Sequence, residues 1–155
     1  MIKQKKQLTE IGVEGFSESF AKMNIRSGKF SLTIDEPVMM GGTDEGPAPL
    51  QVLLMALAGC LNITGHEVAR QQGLTLKGMH ITINGKMNPA VFLGSPVKER
   101  SGFQDIRVKI DAEFVGVTQQ QINHWLSETE RRCPVTDNVK DATHIDVEAH
   151  TVSLS

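Results

Sequence analysis

A long, almost uninterrupted apolar segment over residues 50–61 constrains the fold more than any other feature of the sequence. It reads LQVLLMALAGCL, with Gln51 as its one strongly polar member, and two prolines stand just before it. Proline is favoured in the first turn of a helix, where the amide hydrogen has no partner within the helix. The segment therefore predicts a helix from about Leu50 to Gln72, and Gly73 is well suited to end it.

The first half of this helix is apolar on every side, whereas a helix at a protein surface shows polar residues along one face. Such a helix must be covered all round, and a chain of 155 residues has limited capacity for that. We therefore expect another subunit to cover part of it. The apolar run is too short to span a bilayer, and the opening MIKQKKQLTEIG is no secretory signal. A soluble, cytoplasmic protein is expected.

Alternating apolar and polar residues predict antiparallel sheets beside this helix. Strands are predicted over residues 16–23, 29–35, 74–87 (one or two strands), 104–115 and 145–154. Hairpin chemistry is predicted for residues 24–28, and a capping box at Thr118 predicts a second helix to about Arg132, interrupted by Pro134. The whole chain, 1–155, is predicted to form a single α+β domain with a loose arm over residues 1–12.

Composition argues against several classes of function. A net charge of −2, from 16 basic and 18 acidic residues, gives no basic surface for nucleic acid. Aromatic residues make up only 5% and include no tyrosine, so base-stacking platforms are not expected. The histidines form no HxxxH or HExxH motif, and there is no CxxC pair and no GxSxG elbow. We therefore expect neither a metal nor a bound cofactor.

Two cysteines, Cys60 and Cys133, remain as candidates for chemistry. Each could simply be a small buried side chain, as free cysteines often are. Helical spacing places Thr64 on the same face as Cys60, which leaves room for a partner group. Cys133 follows Arg131 and Arg132 at the predicted end of a helix, where the dipole opposes a thiolate and the arginines favour one. Sequence spacing does not show whether the two sulfurs meet.

Two segments of the chain carry distinctive motifs, residues 35–60 with DEPVMMGGTDEGPAPLQVLLMALAGC and residues 131–139 with RRCPVTDNV. The first is similar to the segment that leads into the first cysteine helix of the OsmC/Ohr family, and the second resembles that family's second cysteine signature. The strands and loops between them follow the same order, so the likeness covers roughly residues 15–155. It implies an OsmC-like intertwined homodimer, with two long cysteine-bearing helices at the centre, antiparallel sheets outside and sites at the subunit interface.

The resemblance also implies an activity, the thiol-dependent reduction of organic or fatty hydroperoxides. In peroxidase members the first cysteine becomes a sulfenic acid, the second condenses with it to a disulfide, and a dithiol such as a lipoyl group reduces the enzyme again. The resemblance thus implies that Cys60 attacks the peroxide and that Cys133 resolves the resulting sulfenic acid by forming the disulfide. A cation must hold the thiolate, and the family's arginine corresponds to Arg26, with Arg131 and Arg132 as alternatives.

One position departs from the pattern of the peroxidase members. They carry a glutamate at the start of the cysteine helix, which holds the arginine, and here Leu50 and Gln51 take that place. Gln51 accepts a hydrogen bond but carries no charge, and Glu45 in the preceding loop is the nearest substitute. Weaker peroxidase activity is therefore expected. A second function stays open, a non-enzymatic module that binds a lipophilic small molecule at the dimer interface with inert cysteines.

Overall fold

The computed structural model describes residues 8–152 of the chain, in two compact units that divide between Leu53 and Leu54. A three-stranded antiparallel sheet belongs to the first unit and a two-stranded antiparallel sheet to the second. The α+β fold with antiparallel sheets and one long helix is thus confirmed. A single domain over residues 1–155 stays a prediction. Of the predicted arm, residues 1–7 lie outside the described residues, and residues 8–12 are exposed without regular structure.

The first unit contains three short strands in the order in which they occur along the chain. They are β1 (Glu14–Ser17), β2 (Met23–Ser27) and β3 (Phe30–Ile34), each paired antiparallel with the next. Gly28 lies in the turn between β2 and β3 with a φ of 58°, a conformation that glycine adopts without strain. The predicted strand over 29–35 is confirmed, whereas most of the predicted link over 24–28 is strand β2.

The strand predicted over residues 16–23 is wrong, because a turn divides it. The Ser19 hydroxyl accepts hydrogen bonds from the backbone amides of Ala21 and Lys22 at 3.2 and 3.0 Å. The amide of Glu18 also donates to the carbonyl of Lys22 at 2.9 Å. Serine side chains offer the backbone local partners that compete with strand pairing, and here they close the hairpin between β1 and β2.

The long helix begins before the division between the units, and the other elements of the second unit follow it. They are α1 (Pro49–Gln71), β4 (Thr75–Met87), α2 (Pro89–Phe92), β5 (Phe103–Val115), α3 (Gln119–Arg132) and α4 (Pro134–Lys140). The predicted capping box of α3 is confirmed, since the side chains of Thr118 and Gln121 each accept the other's backbone amide, at 3.2 and 2.8 Å. Gly73 follows α1 with a φ of 68°, as predicted for the end of that helix.

The core of the second unit consists of two apolar clusters along α1. One contains Leu57, Leu61 and Cys133, and the other contains Val68, Ala69 and Trp125. The Trp125 indole of α3 donates a hydrogen bond to the carbonyl of Gly65 at 2.8 Å. These contacts fix α3 against the C-terminal half of α1, and they thereby position the residues that follow α3.

Within this chain the buried residues of α1 lie along one face, and the predicted cover of its other faces by a second subunit stays a prediction. These buried residues are Leu57, Leu61, Gly65, Val68 and Ala69. On other faces Met55 and Ile63 are 57% and 71% exposed. By length and composition alone the 23-residue helix α1 could cross a membrane, a property that it shares with core helices of soluble proteins.

The final predicted strand, residues 145–154, is also wrong over the part that the structure describes. Residues 145–152 have no regular structure, and Ile145, Val147 and Val152 are exposed. Residues 153–155 lie outside the described residues. The apolar residues do alternate as in a strand, but a strand exists only where an edge pairs with it, and no described strand pairs with this segment.

Candidate active site

The structure brings Cys60 and Cys133 together within the second unit. Cys60 lies in the middle of α1, Cys133 lies between α3 and α4, and their side chains are within hydrogen-bonding reach of each other. Both thiols are free. Cys133 is fully buried, whereas Cys60 keeps part of its surface exposed. The two sulfurs are therefore adjacent but unequal in their access to solvent.

Cys133 does not simply end a helix, as the sequence predicted. Its amide donates to the Thr129 carbonyl at 3.1 Å, which ends α3, and its own carbonyl accepts the Asp137 amide at 3.0 Å, which begins α4. Pro134 therefore starts a second short helix, because proline lacks the amide that the first helical position leaves unpaired. The Cys133 sulfur consequently lies beside the amides of Val135 and Thr136, and both amides lower the pKa of the thiol.

These neighbouring donors set the direction in which the pKa of Cys133 is shifted. Burial alone raises the pKa of the Cys133 thiol, because a charged sulfur loses its hydration. The Thr136 hydroxyl, the Cys60 thiol and the two backbone amides together outweigh burial, so the pKa of Cys133 lies below its ordinary value. Donors to a thiolate stabilise the charged form, which explains the direction of the shift.

Cys60 shows the opposite shift. Burial raises the pKa of its thiol, and the neighbouring Cys133 raises it further. The amide of Val135 and the hydroxyl of Thr64 offset part of this rise. Because the two sulfurs titrate as a pair, the first negative charge rests mainly on Cys133, and Cys60 holds the shared proton.

The pair lies among apolar side chains and beside an open cavity of about 1020 Å³. Leu57 and Leu61 line this cavity and belong to the same core cluster as Cys133, and Thr136 also lines it. At the margin Lys140 and Glu130 form an ion pair at 2.6 Å. A cavity of this size with largely apolar walls suits a small lipophilic molecule.

The three candidate arginines lie in different surroundings. Arg26 is exposed on β2, opposite Glu14 on β1 and Ser31 on β3. Arg131 donates to both carboxylate oxygens of Glu128 at 2.9 and 2.8 Å. Arg132 donates to Gln71 at 2.8 Å. The guanidinium groups of both alternatives are thus engaged with other side chains, and the role of Arg26 stays a prediction.

Neither substitute for the family glutamate is free of other contacts. Gln51 lies in the first turn of α1, and its side chain accepts the Ala48 amide at 2.8 Å. It therefore serves as a helix cap, which explains why an amide suffices there. Glu45 accepts a hydrogen bond from Lys22, which also forms an ion pair with Glu18 at 3.0 Å.

Asp35 is a structurally important residue for which the sequence indicated no role. Its carboxylate is fully buried and accepts hydrogen bonds from the Thr43 hydroxyl at 2.6 Å and from the amides of Glu36, Thr43 and Glu45 at 2.8, 3.0 and 3.2 Å. The Thr43 hydroxyl and these amides lower the pKa of Asp35 to about 2, despite the opposing effect of burial. Asp35 thus organises the loop that follows β3.

Thr136 and Val135 are the functional neighbours of the thiols that the sequence did not single out. They follow Cys133 directly in the segment Cys-Pro-Val-Thr. A proline after a polar residue, with threonine two positions further on, is a signal for a helix start that could have identified them. Among residues 8–152 no group of three or more histidine, cysteine, aspartate or glutamate side chains converges as a metal site would require.

An α+β chain whose long helix carries one of two adjacent free thiols defines a protein built around a cysteine pair. A family model described as OsmC-like protein matches residues 42–148, and the chain belongs to this family. The resemblance seen in the two sequence segments is thereby confirmed. Sequence comparison with curated proteins finds no match.

Solved structures share the fold at low sequence identity. An OsmC-like protein from Mycoplasma pneumoniae is similar with a TM-score of 0.74 and 18% identity, over 86% of this chain and 89% of that one. An organic hydroperoxide resistance protein from Elizabethkingia anophelis gives a TM-score of 0.65 and 17% identity, over 89% and 93%. One from Legionella pneumophila gives 0.62 and 18%, over 87% and 92%.

Proposed function

We propose that this protein is a thiol-dependent peroxidase that reduces organic or fatty hydroperoxides through Cys60 and Cys133. The observation that carries the proposal is the pair of free thiols in hydrogen-bond contact. Membership of the OsmC-like family supports it, as do the organic hydroperoxide resistance proteins from Elizabethkingia and Legionella that share the fold. Vicinal thiols of this kind can pass from two reduced sulfurs to a disulfide without large movement of the chain.

Cys60 is the attacking residue in this proposal, because it is only partly buried whereas Cys133 is fully buried. Once ionised, the neighbouring Cys133 sulfur can take up the Cys60 proton, against the order of the two pKa values, so that a fraction of the pair carries its charge on Cys60. The Cys60 thiolate then attacks the outer peroxide oxygen. The O–O bond breaks, the alcohol leaves with a proton, and Cys60 becomes a sulfenic acid.

Cys133 resolves this intermediate. Its sulfur attacks the Cys60 sulfur, the S–S bond forms as the S–O bond breaks, and the hydroxide leaves as water after it takes up a proton. Two thiols and one hydroperoxide thus become one disulfide, one alcohol and one water. We propose that a dithiol such as a lipoyl group returns the disulfide to two thiols in the reducing cytoplasm. No bound cofactor takes part in this scheme.

Thiol counting after stoichiometric cumene hydroperoxide tests the proposal directly. The wild-type protein should lose both free thiols, and its intact mass should fall by two hydrogen atoms. A protein that keeps both thiols, under conditions in which a known peroxidase loses its own, would contradict the proposed activity. Cys133→Ser is the matched variant, because it should gain one oxygen atom instead of forming the disulfide.

The apolar cavity favours a second candidate, a binding module for a lipophilic small molecule. About 1020 Å³ with walls such as Leu57, Leu61 and Ile106 could hold an acyl chain without any reaction at sulfur. Native mass spectrometry after gentle purification separates the two functions. A retained small molecule on a protein whose thiols do not react with hydroperoxide would favour binding.

A further inference from the structure

A hydroxyl beside Cys133 has no defined partner in the reduced protein. The Thr136 oxygen is buried and has no hydrogen-bond partner among residues 8–152, yet it lies close enough to the Cys133 sulfur to lower the pKa of that thiol. A buried hydroxyl without a partner costs free energy, so its presence in a native protein calls for an explanation. A protonated thiol is a weak acceptor, whereas a thiolate is a strong one.

The first turn of α4 fixes the position of this hydroxyl relative to the sulfur. The Asp137 amide donates to the Cys133 carbonyl at 3.0 Å, and this bond closes the turn that carries Thr136. Threonine is branched at Cβ and has few rotamers, so its hydroxyl keeps a narrow range of directions. The donor is therefore in place before charge develops on Cys133.

We propose that Thr136 is a positioning residue whose hydroxyl donates a hydrogen bond to the Cys133 sulfur when that sulfur becomes a thiolate. This inference rests on the proposed function and assigns Thr136 to its second step. The stabilised Cys133 thiolate attacks the Cys60 sulfenic acid, the S–S bond forms, and the departing hydroxide takes a proton to become water. Thr136 itself is not consumed, and its proton stays on oxygen throughout.

Titration of the isolated Cys133 thiol tests the hydrogen bond without any peroxide. In a Cys60→Ala background, the ultraviolet absorbance of the thiolate reports its pKa. Thr136→Val removes the hydroxyl at nearly constant shape and should raise that pKa by about one unit, a tenfold change in ionisation. Thr136→Ser keeps the hydroxyl, so its Cys133 thiol should titrate at nearly the same pH as in the Cys60→Ala parent. Should Thr136→Val fail to fold, Thr136→Ala carries the same test.

Thr129→Val is the matched control. Its hydroxyl is also buried without a partner among the described residues, and it belongs to α3 rather than to the turn that holds the sulfur. Replacing an unpaired buried hydroxyl by a methyl group costs little stability. This variant should leave the Cys133 titration unchanged.

The second readout is the rate of disulfide formation after a single dose of hydroperoxide, with Cys60 restored. At neutral pH, Thr136→Val should retain the dimedone-reactive sulfenic acid roughly ten times longer, and Thr136→Ser should restore the rate. An unshifted titration in Thr136→Val, or an equal shift in Thr129→Val, would overturn the assignment. If the titration shifts while no variant forms sulfenic acid, the hydroxyl assignment stands and the peroxidase proposal fails.

Discussion

At the scale of single residues, the two thiols differ in both access and charge. Cys60 has exposed surface and a raised pKa, whereas Cys133 is fully buried with a lowered pKa. Cys60→Ser should abolish hydroperoxide consumption and leave the fold intact, because oxygen replaces sulfur in nearly the same volume. A peroxide-consumption assay and circular dichroism check both points. Turnover that survives in this variant would refute the role of Cys60.

Cys133→Ser should separate the two chemical steps. With no second thiol to condense with, the Cys60 sulfenic acid should persist after one equivalent of hydroperoxide. Mass spectrometry should then detect a dimedone adduct on Cys60, and it should detect little in the wild type, where the disulfide forms first. If the variant forms no adduct although it consumes peroxide, the two cysteines do not act as a pair.

Arg26 is the residue whose proposed role depends most on the family resemblance. If its cation stabilises the Cys60 thiolate, Arg26→Gln should raise the pKa of Cys60 and so slow the reaction with hydroperoxide. The rate should fall roughly tenfold for each unit by which that pKa rises. Stopped-flow measurement of the first oxidation gives this rate. Arg131→Gln is the control, because Arg131 is paired with Glu128. Equal losses in both variants, or none in Arg26→Gln, would exclude the specific role of Arg26.

At the scale of elements, the loop between β3 and α1 depends on a single buried carboxylate. Asp35 accepts four hydrogen bonds from residues of this loop, and its pKa is lowered to about 2. Gly42 has to be a glycine there, since an added Cβ would lie 1.8 Å from the Glu36 carbonyl oxygen. The loop is therefore a fixed structure with a charge at its centre.

Asp35→Asn should destabilise the protein at neutral pH, because the amide nitrogen would face donors where an oxygen accepted. The folded pKa of Asp35 lies below its ordinary value of about 3.9, so its ionisation stabilises the fold fully above that value. This stabilisation is lost as the pH falls through about 2. Asp35→Asn should therefore flatten the acid limb of a stability-against-pH profile measured with denaturant.

Asp44→Asn is the matched control for this prediction. Asp44 is an exposed carboxylate in the same loop with a φ of 58°, a conformation that asparagine also tolerates. The Asp44→Asn variant should have the same free energy of unfolding as the wild type at every pH. An acid limb that is unchanged in Asp35→Asn, or equally flattened in Asp44→Asn, would contradict the role given to the buried carboxylate.

The elements that could be predicted from sequence are those whose signals are local. The proline-rich start of α1, its end at Gly73, and the capping box at Thr118 are each encoded within a few residues. The failures need information from elsewhere in the chain. Ser19 forms backbone hydrogen bonds that break a plausible strand, and residues 145–152 lack the pairing edge that a strand requires.

The same distinction applies to the candidate site. Cys60 and Cys133 could be identified because their motifs are recognisable, but their adjacency depends on how α3 packs on α1 through Trp125. Thr136 and Asp35 lie in the two segments that resemble the family, but the sequence indicates no role for either. Their roles depend on the burial of their side-chain oxygens and on the groups near those oxygens. The residue type alone predicts neither.

At the scale of the whole molecule, the apolar surface left uncovered on α1 bears on the predicted homodimer. Met55 and Ile63 are largely exposed in a single chain, and so are Ile145 and Val147 in the C-terminal segment. Large exposed apolar side chains along one helix suit an interface with another subunit. We expect light scattering after gel filtration to give the mass of a dimer at micromolar concentration.

Ile63→Lys tests which surface holds that dimer together. A charge on the exposed face of α1 should shift the equilibrium towards the monomer, because a buried unpaired ammonium is costly. Lys77→Glu on β4 is a charge-changing control away from α1. A wild-type protein that runs as a monomer at all concentrations would contradict the predicted homodimer, and a dimer unaffected by Ile63→Lys would place its interface elsewhere.

The positions of the two sulfurs along the chain have a consequence for unfolding. Between them lie the β4–β5 hairpin and the whole of α3, a stretch of roughly 70 residues. A covalent link at its ends would turn this stretch into a closed ring that the denatured polypeptide could no longer open. The loss of conformational entropy in the denatured chain would stabilise the folded protein by about 4 kcal/mol. The disulfide form should therefore melt at a higher temperature than the dithiol form, so that the melting temperature distinguishes oxidised from reduced protein.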